Sequence, residues 1–287
     1  MGKNTNCFRI ILIILIILSN KMKTVIPKLL DFNATLCWFL VLILSFYADL
    51  PAVAAQPNMA MPFKPGEKLV YQLRWGIVPA GSATLEVLEN KSMHDMEARH
   101  FRLTAQTNAF VDTFYMVRDV VESFTDQDID FTLLYKQKQQ EGNTKRDVTI
   151  FFDLPNMEAR YRNNNVDNDP IAILPGTLDP LSSLYYIRNT ELKAGLVISK
   201  PVTDGKKNLI AEARVIKRES VTVRGEKYDT FLVEPDLKGV RGVFDQKKGS
   251  RIKLWFTADD RHLLVKIKSK VAVGSFYGVL VDKENVN

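Results

Sequence analysis

The stretch RWGIVPAGSATLEV, residues 74–87, holds a short Pro-Ala-Gly sequence that precedes a regular alternation of residue types. After it, Ala83, Leu85 and Val87 occupy alternate positions, with a threonine and a glutamate between them. Successive side chains of a β-strand point to opposite faces, so a period of two is typical of a half-buried strand. The stretch therefore predicts an antiparallel β protein rather than a helical one.

We interpret residues 78–81 (VPAG) as the bend of a β-hairpin. Pro79 fixes its own φ, and Gly81 is expected to adopt the positive φ that many turns require. A phosphate-binding loop would need several glycines at the start of a helix, and no helical pattern follows. The chain also has no G-x-S-x-G sequence, so nothing in it suggests the nucleophile of a serine hydrolase.

The period of two continues from Pro65 almost to the end of the chain. In the first predicted strand, Leu69, Tyr71, Leu73 and Trp75 share one face. Later predicted strands cover 131–139, 146–153, 157–162, 196–202, 208–217, 219–224 and 228–235. The polar run NNNVDND, residues 163–169, is predicted to be a loop. About twelve strands are expected in all.

One segment departs from this pattern. Asp179 is a good helix N-cap, and Pro180 suits the first helical position. Leu181, Leu184 and Tyr185 follow at helical spacing, so residues 180–189 are predicted to form a short amphipathic helix. We expect a mainly β fold: a large curved antiparallel sheet forming a half-barrel, barrel or sandwich, similar to lipoprotein carriers and calycins, with one short helix.

The first fifth of the chain is predicted to be a leader. Two short apolar runs, residues 8–19 and 34–48, precede Ala52-Val53-Ala54, which fits a signal-peptidase site. We interpret residues 22–55 as a signal peptide cleaved after Ala54 or Ala55, and residues 1–21 as a misplaced translation start. A true N-terminal membrane anchor is the alternative. The predicted organisation is a leader over residues 1–55, a flexible lead-in over 56–64 and a single β domain over 65–283.

The cysteines and the charge limit the functions to be considered. Both cysteines, Cys7 and Cys37, fall in the leader, so the mature chain is expected to have no disulfide partner, thiolate metal site or cysteine nucleophile. The leader carries five Lys/Arg and two Asp/Glu, so its removal lowers the net charge from +6 to about +3. Lys266, Lys268 and Lys270 alternate along a predicted strand and form its exposed face. We expect no nucleic-acid partner.

Few residues suggest chemistry. His94, His100 and His262 lack metal-ligand spacing, and we interpret them as surface or turn histidines. Asp119 falls on the apolar face of its strand, where burial would raise its pKa and make it a candidate general acid. The simpler interpretation is a hydrogen-bonded structural or lining residue. No catalytic residue, metal or cofactor is predicted.

Aromatic residues of the predicted strands are a second resource. Such residues usually fill a core, but the concave face of a curved sheet can be lined without being filled and then binds apolar ligands. Periodicity cannot distinguish the two cases. The candidates for lining a ligand site are Trp75, Tyr115, Asp119, Phe124, Trp255 and Tyr277.

Three stretches carry a family resemblance: FKPGEKLVYQLRWGIVPAGSATLEV (63–87), FVDTFYMVRDVVESFTD (110–126) and GVFDQKKGSRIKLWFTADDRHLLVKIKSKVAVGSFYGVL (242–280). In this order they resemble an exported bacterial family known as domain of unknown function 3108. The resemblance implies a periplasmic or outer-membrane-associated protein of Gram-negative bacteria. That family has no established reaction, so no catalytic residues can be transferred.

Three hypotheses of function follow. The first is a non-enzymatic periplasmic β protein that binds a lipid or another amphiphile of the cell envelope. The second is a structural or scaffolding protein that contacts envelope proteins and holds no small ligand. The third is an enzyme that acts on glycan or lipid through a carboxylate such as Asp119 or Glu122. Fold analogy alone is a weak argument for function, so the site must decide.

Overall fold

A computed structural model of the chain describes residues 61–93, 95–236, 252–270 and 275–286. The predicted leader, its cleavage site, both cysteines and His94 lie outside these residues. The described strands are β1 (Lys68–Trp75), β2 (Val78–Met93), β3 (Met96–Thr107), β4 (Val117–Thr125), β5 (Thr132–Glu141), β6 (Thr144–Asp153), β7 (Glu158–Asn163), β8 (Val166–Asp167), β9 (Ile171–Ala172), β10 (Val197–Thr203), β11 (Asn208–Val223), β12 (Glu226–Asp236), β13 (Ile252–Thr257), β14 (Leu264–Lys270) and β15 (Ser275–Glu284). The described helices are α1 (Ala109–Asp112) and α2 (Pro180–Arg188). Neither has the length and apolar composition needed to cross a membrane.

All fifteen strands belong to one antiparallel sheet. Its order is β10-β11-β12-β13-β14-β15-β1-β2-β3-β4-β5-β6-β7-β8, with β9 beside β7. Most neighbours in the sheet are also neighbours in sequence, but β1 pairs with both β2 and β15. The predicted mainly β fold with a large antiparallel sheet is therefore confirmed.

The sheet curls, and a short extended segment bridges two distant parts of it. The carbonyl of Thr177 accepts a hydrogen bond from the Thr132 N–H at the start of β5, at 3.0 Å. The next residue, Leu178, exchanges backbone hydrogen bonds of 2.9 Å with Pro201 and Thr203 on β10. The edge strand β10 thus lies one segment away from β5. Within the described part of the chain, β8 and β10 do not pair, so the sheet is not closed.

Helix α2 packs against one side of this sheet, which we call the inner face. Asp179 caps the helix by accepting hydrogen bonds from the backbone N–H groups of Leu181 and Ser182. The ring of Tyr185 stacks on Phe101 of β3 at 3.9 Å, and Phe63 meets Tyr185 edge-on at 5.1 Å. The predicted helix is confirmed, and the predicted lead-in is anchored at Phe63, which is buried.

A buried ion pair fixes the C-terminal end of α2. The Arg188 guanidinium donates to both carboxylate oxygens of Glu67, at 2.6 and 3.0 Å. It also donates to the backbone carbonyls of Arg261 and His262, each at 3.2 Å. Burial alone would lower the pKa of Arg188, but Glu67 outweighs it and the pKa is raised. The side chains of this pair are almost wholly shielded from solvent, so the pair is a structural unit of the core.

The prediction that VPAG forms the hairpin bend is wrong. The turn lies earlier, at Gly76 and Ile77, where Gly76 supplies the positive φ of 58°. Gly81 lies inside β2 with no positive φ, paired with Leu73. Glycine is needed there because a Cβ atom would lie 2.1 Å from the Gln106 carbonyl oxygen. Close approach of two backbones, rather than turn geometry, explains this glycine.

Other boundaries differ locally. The two strands predicted over 208–217 and 219–224 form one strand, β11, with an irregularity between Val215 and Lys217. The loop predicted over residues 163–169 contains β8, a two-residue strand that pairs back on β7. Helix α1 has no counterpart in the prediction, because four residues are too few for a helical period to be recognised.

Candidate functional site

A row of polar side chains lies on the inner face of β4 and β5. We call it the polar wall, and its members are Asp119, Tyr135, Gln137, Gln139 and Glu141, all of them buried. The strand register places Asp119 opposite Gln139. On β5 these residues alternate with Lys136, Lys138 and Gln140, which face the other side. A row of polar side chains at alternate, buried positions of a strand is unusual, and each buried polar group requires a hydrogen-bond partner.

Two carboxyl groups of the polar wall interact directly. Asp119 Oδ1 accepts a 3.0 Å hydrogen bond from the Gln140 backbone N–H, and the Asp119 carboxyl lies close to that of Glu141. Gln139 Nε2 donates to Glu141 Oε1 at 2.8 Å. Burial first, and then the negative charge of Glu141, raises the pKa of Asp119 to about 8. The Asp119 carboxyl is therefore mainly protonated at neutral pH and can donate a hydrogen bond.

Three buried polar atoms of the polar wall have no hydrogen-bond partner among the described residues. They are Asp119 Oδ2, the Tyr135 hydroxyl and Gln137 Nε2. Burial raises the pKa of Tyr135 well above its ordinary value, so its hydroxyl keeps its proton. A buried polar group without a partner is costly, by about 1–3 kcal/mol each. Together these atoms offer donors and an acceptor to a hydroxyl or amide group.

Apolar side chains continue the same face on the other half of the sheet. We call this the apolar wall, and its members are Leu73, Trp75, Ala83, Ile267 and Phe276. The Trp75 ring stacks on Phe276 at 6.2 Å and is 36% exposed. Leu69, Tyr71 and Leu85 occupy the same face nearer α2 and are buried. The inner face is thus filled beside the helix and more accessible at the end that holds Trp75.

Small residues join the two walls. Ala83 of β2 pairs with Ala105 of β3, and Ala105 pairs with Asp119 of β4. The side chain of each alanine is a single methyl group, so these positions between the two walls carry little side-chain volume. An apolar half and a polar half therefore share one continuous inner face.

The structure does not bring the six predicted lining residues together. Trp75 and Asp119 are on the inner face, in the apolar and polar walls. Tyr115 precedes β4, and its ring lies against Gly142. The other three residues, Phe124, Trp255 and Tyr277, lie on the outer face. Phe124 stacks on His100, and the Trp255 indole N–H donates a hydrogen bond to Glu219. The ring of Tyr277 lies beneath the ammonium group of Lys268. The alternation in sequence could not indicate which of its two faces would hold the helix.

The outer face also holds a charged cluster that corrects one expectation. His100, expected at the surface or in a turn, is buried in the middle of β3, with Nε2 at 3.1 Å from Glu122 Oε1. Burial lowers the pKa of His100. Burial acts to raise the pKa of Glu122, but the hydrogen bond from Arg102 outweighs it and the pKa is lowered. This carboxylate is therefore ionised and paired with Arg102. His262 lies in a turn, as predicted, with Nδ1 at 2.7 Å from the Arg188 carbonyl.

A groove of about 740 Å³ lies apart from the two walls. Its lining includes Met93, Met96, Leu134, Phe151 and Arg160. Leu134 and Phe151 pair across β5 and β6 in the same row as Phe124, which places them on the outer face. The groove is apolar and half-open, so it provides a comparison site for ligand-binding experiments. Among the described residues, no group of three or more His, Cys, Asp or Glu could hold a metal ion.

Solved structures of similar fold come from several bacteria. A β-barrel-like protein of domain of unknown function DUF1849 from Brucella abortus is 12% identical with a TM-score of 0.50, covering 76% of this chain and 96% of that one. A candidate lipoprotein from Parabacteroides distasonis is 12% identical with a TM-score of 0.34, covering 77% and 96%. A candidate exported protein with a YmcC-like fold from Bacteroides fragilis is 11% identical with a TM-score of 0.29, covering 78% and 98%. At these identities, only the first likeness carries weight, and it concerns the fold alone.

Sequence comparison gives the family. No curated protein matches the chain. The family described as "Protein of unknown function (DUF3108)" matches residues 70–281, which span β1 to β15 and include both walls of the inner face. The chain therefore belongs to the DUF3108 family.

Proposed function

We propose that this protein is an exported, non-enzymatic protein of the Gram-negative envelope that binds an amphiphile on its inner face. The polar group of the ligand would bond to the polar wall, and its apolar chain would lie along the apolar wall. The observation that carries this proposal is the set of three buried atoms without partners: Asp119 Oδ2, the Tyr135 hydroxyl and Gln137 Nε2. A ligand hydroxyl or amide would satisfy groups that otherwise destabilise the fold.

The charge of the polar wall favours an uncharged head group. Asp119 is protonated at neutral pH, since its pKa is raised to about 8, and Glu141 already holds the negative charge of the pair. A second carboxylate or a phosphate brought beside Glu141 would be repelled. The ligand class that fits best is therefore a lipid with a hydroxyl or amide head group, such as a monoacylglycerol, rather than a fatty acid.

Titration with a monoacylglycerol and with the fatty acid of the same chain length tests this proposal. We expect tighter binding of the monoacylglycerol, weakened by about tenfold in Gln137→Met, which removes the donor at similar volume. Trp75→Ala should weaken the binding of both ligands, because it removes part of the apolar wall that would contact their acyl chains. Phe151→Ala is the matched control, because it alters the outer groove and should leave binding unchanged.

Three results would contradict the proposal. Equal binding by the Gln137→Met variant would show that the polar wall does not hold the ligand. Loss of binding in Phe151→Ala alone would move the ligand to the outer groove. Native mass spectrometry of protein purified from its own cells should reveal a lipid adduct, and a bare protein that also fails to bind either lipid would favour the scaffolding hypothesis.

The geometry supports an enzyme less well. A glycosidase needs two carboxyl groups about 5 Å or more apart, so that substrate or water can enter between them. Asp119 and Glu141 instead lie close enough for the charge of one to raise the pKa of the other. Glu122, the other carboxylate considered, is paired with Arg102 and His100 on the opposite face. The measurement that would revive this hypothesis is hydrolysis of a lipid or glycan ester that Asp119→Asn abolishes.

Export is supported by the sequence of the leader. N-terminal sequencing of protein recovered from the periplasm should find a chain that starts after Ala54 or Ala55. A mature product that retains residues 8–19 would contradict this part of the proposal.

A further inference from the structure

Four large apolar side chains are exposed close together in the fold. They lie on the β1–β2 turn and on the connection from β3 to β4, and we call them the apolar tip: Ile77, Val78, Phe110 and Phe114. Ile77 is 85% exposed, Phe110 63% and Phe114 69%. Single exposed apolar residues are ordinary, but a contiguous group of this kind marks a surface that contacts a partner or a membrane.

The two parts of the apolar tip are fastened together by Asn108. Its backbone N–H donates to the Ala80 carbonyl at 3.0 Å, and its side-chain amide donates to the Pro79 carbonyl at 2.8 Å. The same side chain caps α1 by accepting from the Val111 N–H at 3.0 Å. The rings of Phe110 and Phe114 meet edge-on at 5.6 Å. The tip is therefore held by hydrogen bonds in an exposed arrangement.

A cation lies at the base of the tip. Arg74 donates from Nη2 to the Ile77 carbonyl at 3.0 Å, and it forms no ion pair with any described carboxylate. Asp112, the charged residue of this connection, is neutralised by an ion pair with Arg118 at the start of β4. The unpaired charge of the tip is thus the Arg74 guanidinium, which contacts the backbone of Ile77. Guanidinium groups pair well with phosphate, and Phe and other apolar side chains can be buried at the boundary between head groups and acyl chains.

We propose that the apolar tip inserts into the surface of an anionic phospholipid bilayer, with Arg74 bound to a lipid phosphate. Burial of apolar side chains combined with attraction to anionic head groups is how proteins attach to a bilayer surface without crossing it. The tip continues the strand that carries Trp75, so a docked tip brings the accessible end of the inner face to the lipid. The inference does not rest on the proposed function, because the tip would bind lipid whether or not the inner face holds a ligand.

Vesicle co-sedimentation of the full-length chain tests the proposal. Vesicles of phosphatidylethanolamine with phosphatidylglycerol, and vesicles of phosphatidylcholine alone, would be compared. The double variant Phe110→Ser/Phe114→Ser should bind both about tenfold more weakly, because two rings no longer leave water. Arg74→Gln should weaken binding to the anionic vesicles more than binding to phosphatidylcholine, because both lipids offer a phosphate but only phosphatidylglycerol adds a net negative charge. Ile210→Ser is the matched control, since Ile210 is similarly exposed on β11, away from the tip.

A second measurement locates the inserted residues even if the leader itself binds lipid. Because the chain already holds Trp38, Trp75 and Trp255, each variant is compared with wild type. The fluorescence added by Phe114→Trp should be quenched by brominated acyl chains, and the fluorescence added by Ile210→Trp should not. Equal quenching of the two, or unchanged sedimentation of the double serine variant, would overturn the proposal. A different outcome is that the wild-type chain binds neither kind of vesicle and instead forms a dimer that the double serine variant does not form. In that case the tip contacts a second copy of the chain, and the proposal is also wrong.

Discussion

Replacement of Asp119 by asparagine tests the electrostatics of the candidate site through the pH dependence of stability. Burial and the nearby Glu141 raise the pKa of Asp119 from 3.8 to about 8 in the folded protein. In the unfolded chain the group returns to its ordinary value of about 3.9. Between these two pKa values the unfolded chain has released the proton and the folded chain still holds it. The free energy of unfolding must therefore fall as the pH rises through this window.

The size of the effect follows from the one-proton difference. A difference of one bound proton changes the free energy of unfolding by about 1.4 kcal/mol per pH unit. Over the window from about pH 4 to about pH 8 the total is at most about 5 kcal/mol. Asp119→Asn cannot ionise at this position, so the variant lacks this part of the pH dependence. Its stability relative to wild type should rise by about 4 kcal/mol between pH 5 and pH 8.

Urea unfolding followed by tryptophan fluorescence at several pH values measures this difference. Glu141→Gln is the control, because it removes the nearby charge but leaves Asp119 buried. In this variant we expect the free energy of unfolding still to fall as the pH rises, because burial is the larger cause of the raised pKa of Asp119. The fall should end at a lower pH, because the charge of Glu141 no longer adds to that pKa. If wild type and Asp119→Asn give parallel curves from pH 5 to pH 8, Asp119 is ionised in the folded protein. The argument for an uncharged polar wall would then fail.

Three further substitutions test the fold around the site, each by urea unfolding. Glu67→Gln should cost about 3–5 kcal/mol because Arg188 stays buried without its partner, and Glu67→Leu/Arg188→Met should recover most of this loss. Gly81→Ala should cost at least about 1–3 kcal/mol because its Cβ collides with the backbone of β3, whereas Gly278→Ala meets only side chains, at 3.4 Å or more, and should cost less. Leu184→Ala should cost about 2–5 kcal/mol, and a loss below about 0.5 kcal/mol would show that α2 does not cover a core.

Local patterns in the sequence predicted the fold class because they depend on local chemistry. The alternation of Leu69, Tyr71 and Leu73 arises from strand geometry alone, and the Asp179-Pro180 pair specifies the start of a helix by its own hydrogen bonds. The misplaced turn had a local signal as well: Gly76 precedes Pro79 and provides the positive φ. The pair Pro79 and Gly81 resembles a turn sequence. A glycine can be required either by the positive φ of a turn or by the close approach of a neighbouring backbone, and the sequence does not distinguish the two.

The candidate site was only half predicted, for a different reason. Asp119 is recognisable by its place on an apolar face, and Gln137, Gln139 and Glu141 alternate with residues of the other face, which is the sequence signal for the rest of the polar wall. No local pattern indicates that Glu67 will meet Arg188, because 121 residues separate them. The faces of Phe124, Trp255 and Tyr277 depend on where α2 docks, which is decided by packing across the whole sheet.

The position of β1 in the sheet has a consequence for how the chain is made. Among the described strands β1 comes first in the sequence, and one of its two neighbours, β15, comes last, with Lys68 and Glu284 joined at 2.7 Å. One edge of β1 therefore stays unpaired until nearly the entire domain has left the ribosome, and exposed edges of this kind promote aggregation. The domain cannot complete its sheet piece by piece, and a chain that ends before residue 275 would leave β1 and β14 each with an open edge. An incomplete chain of this domain therefore exposes two strand edges that the complete domain covers.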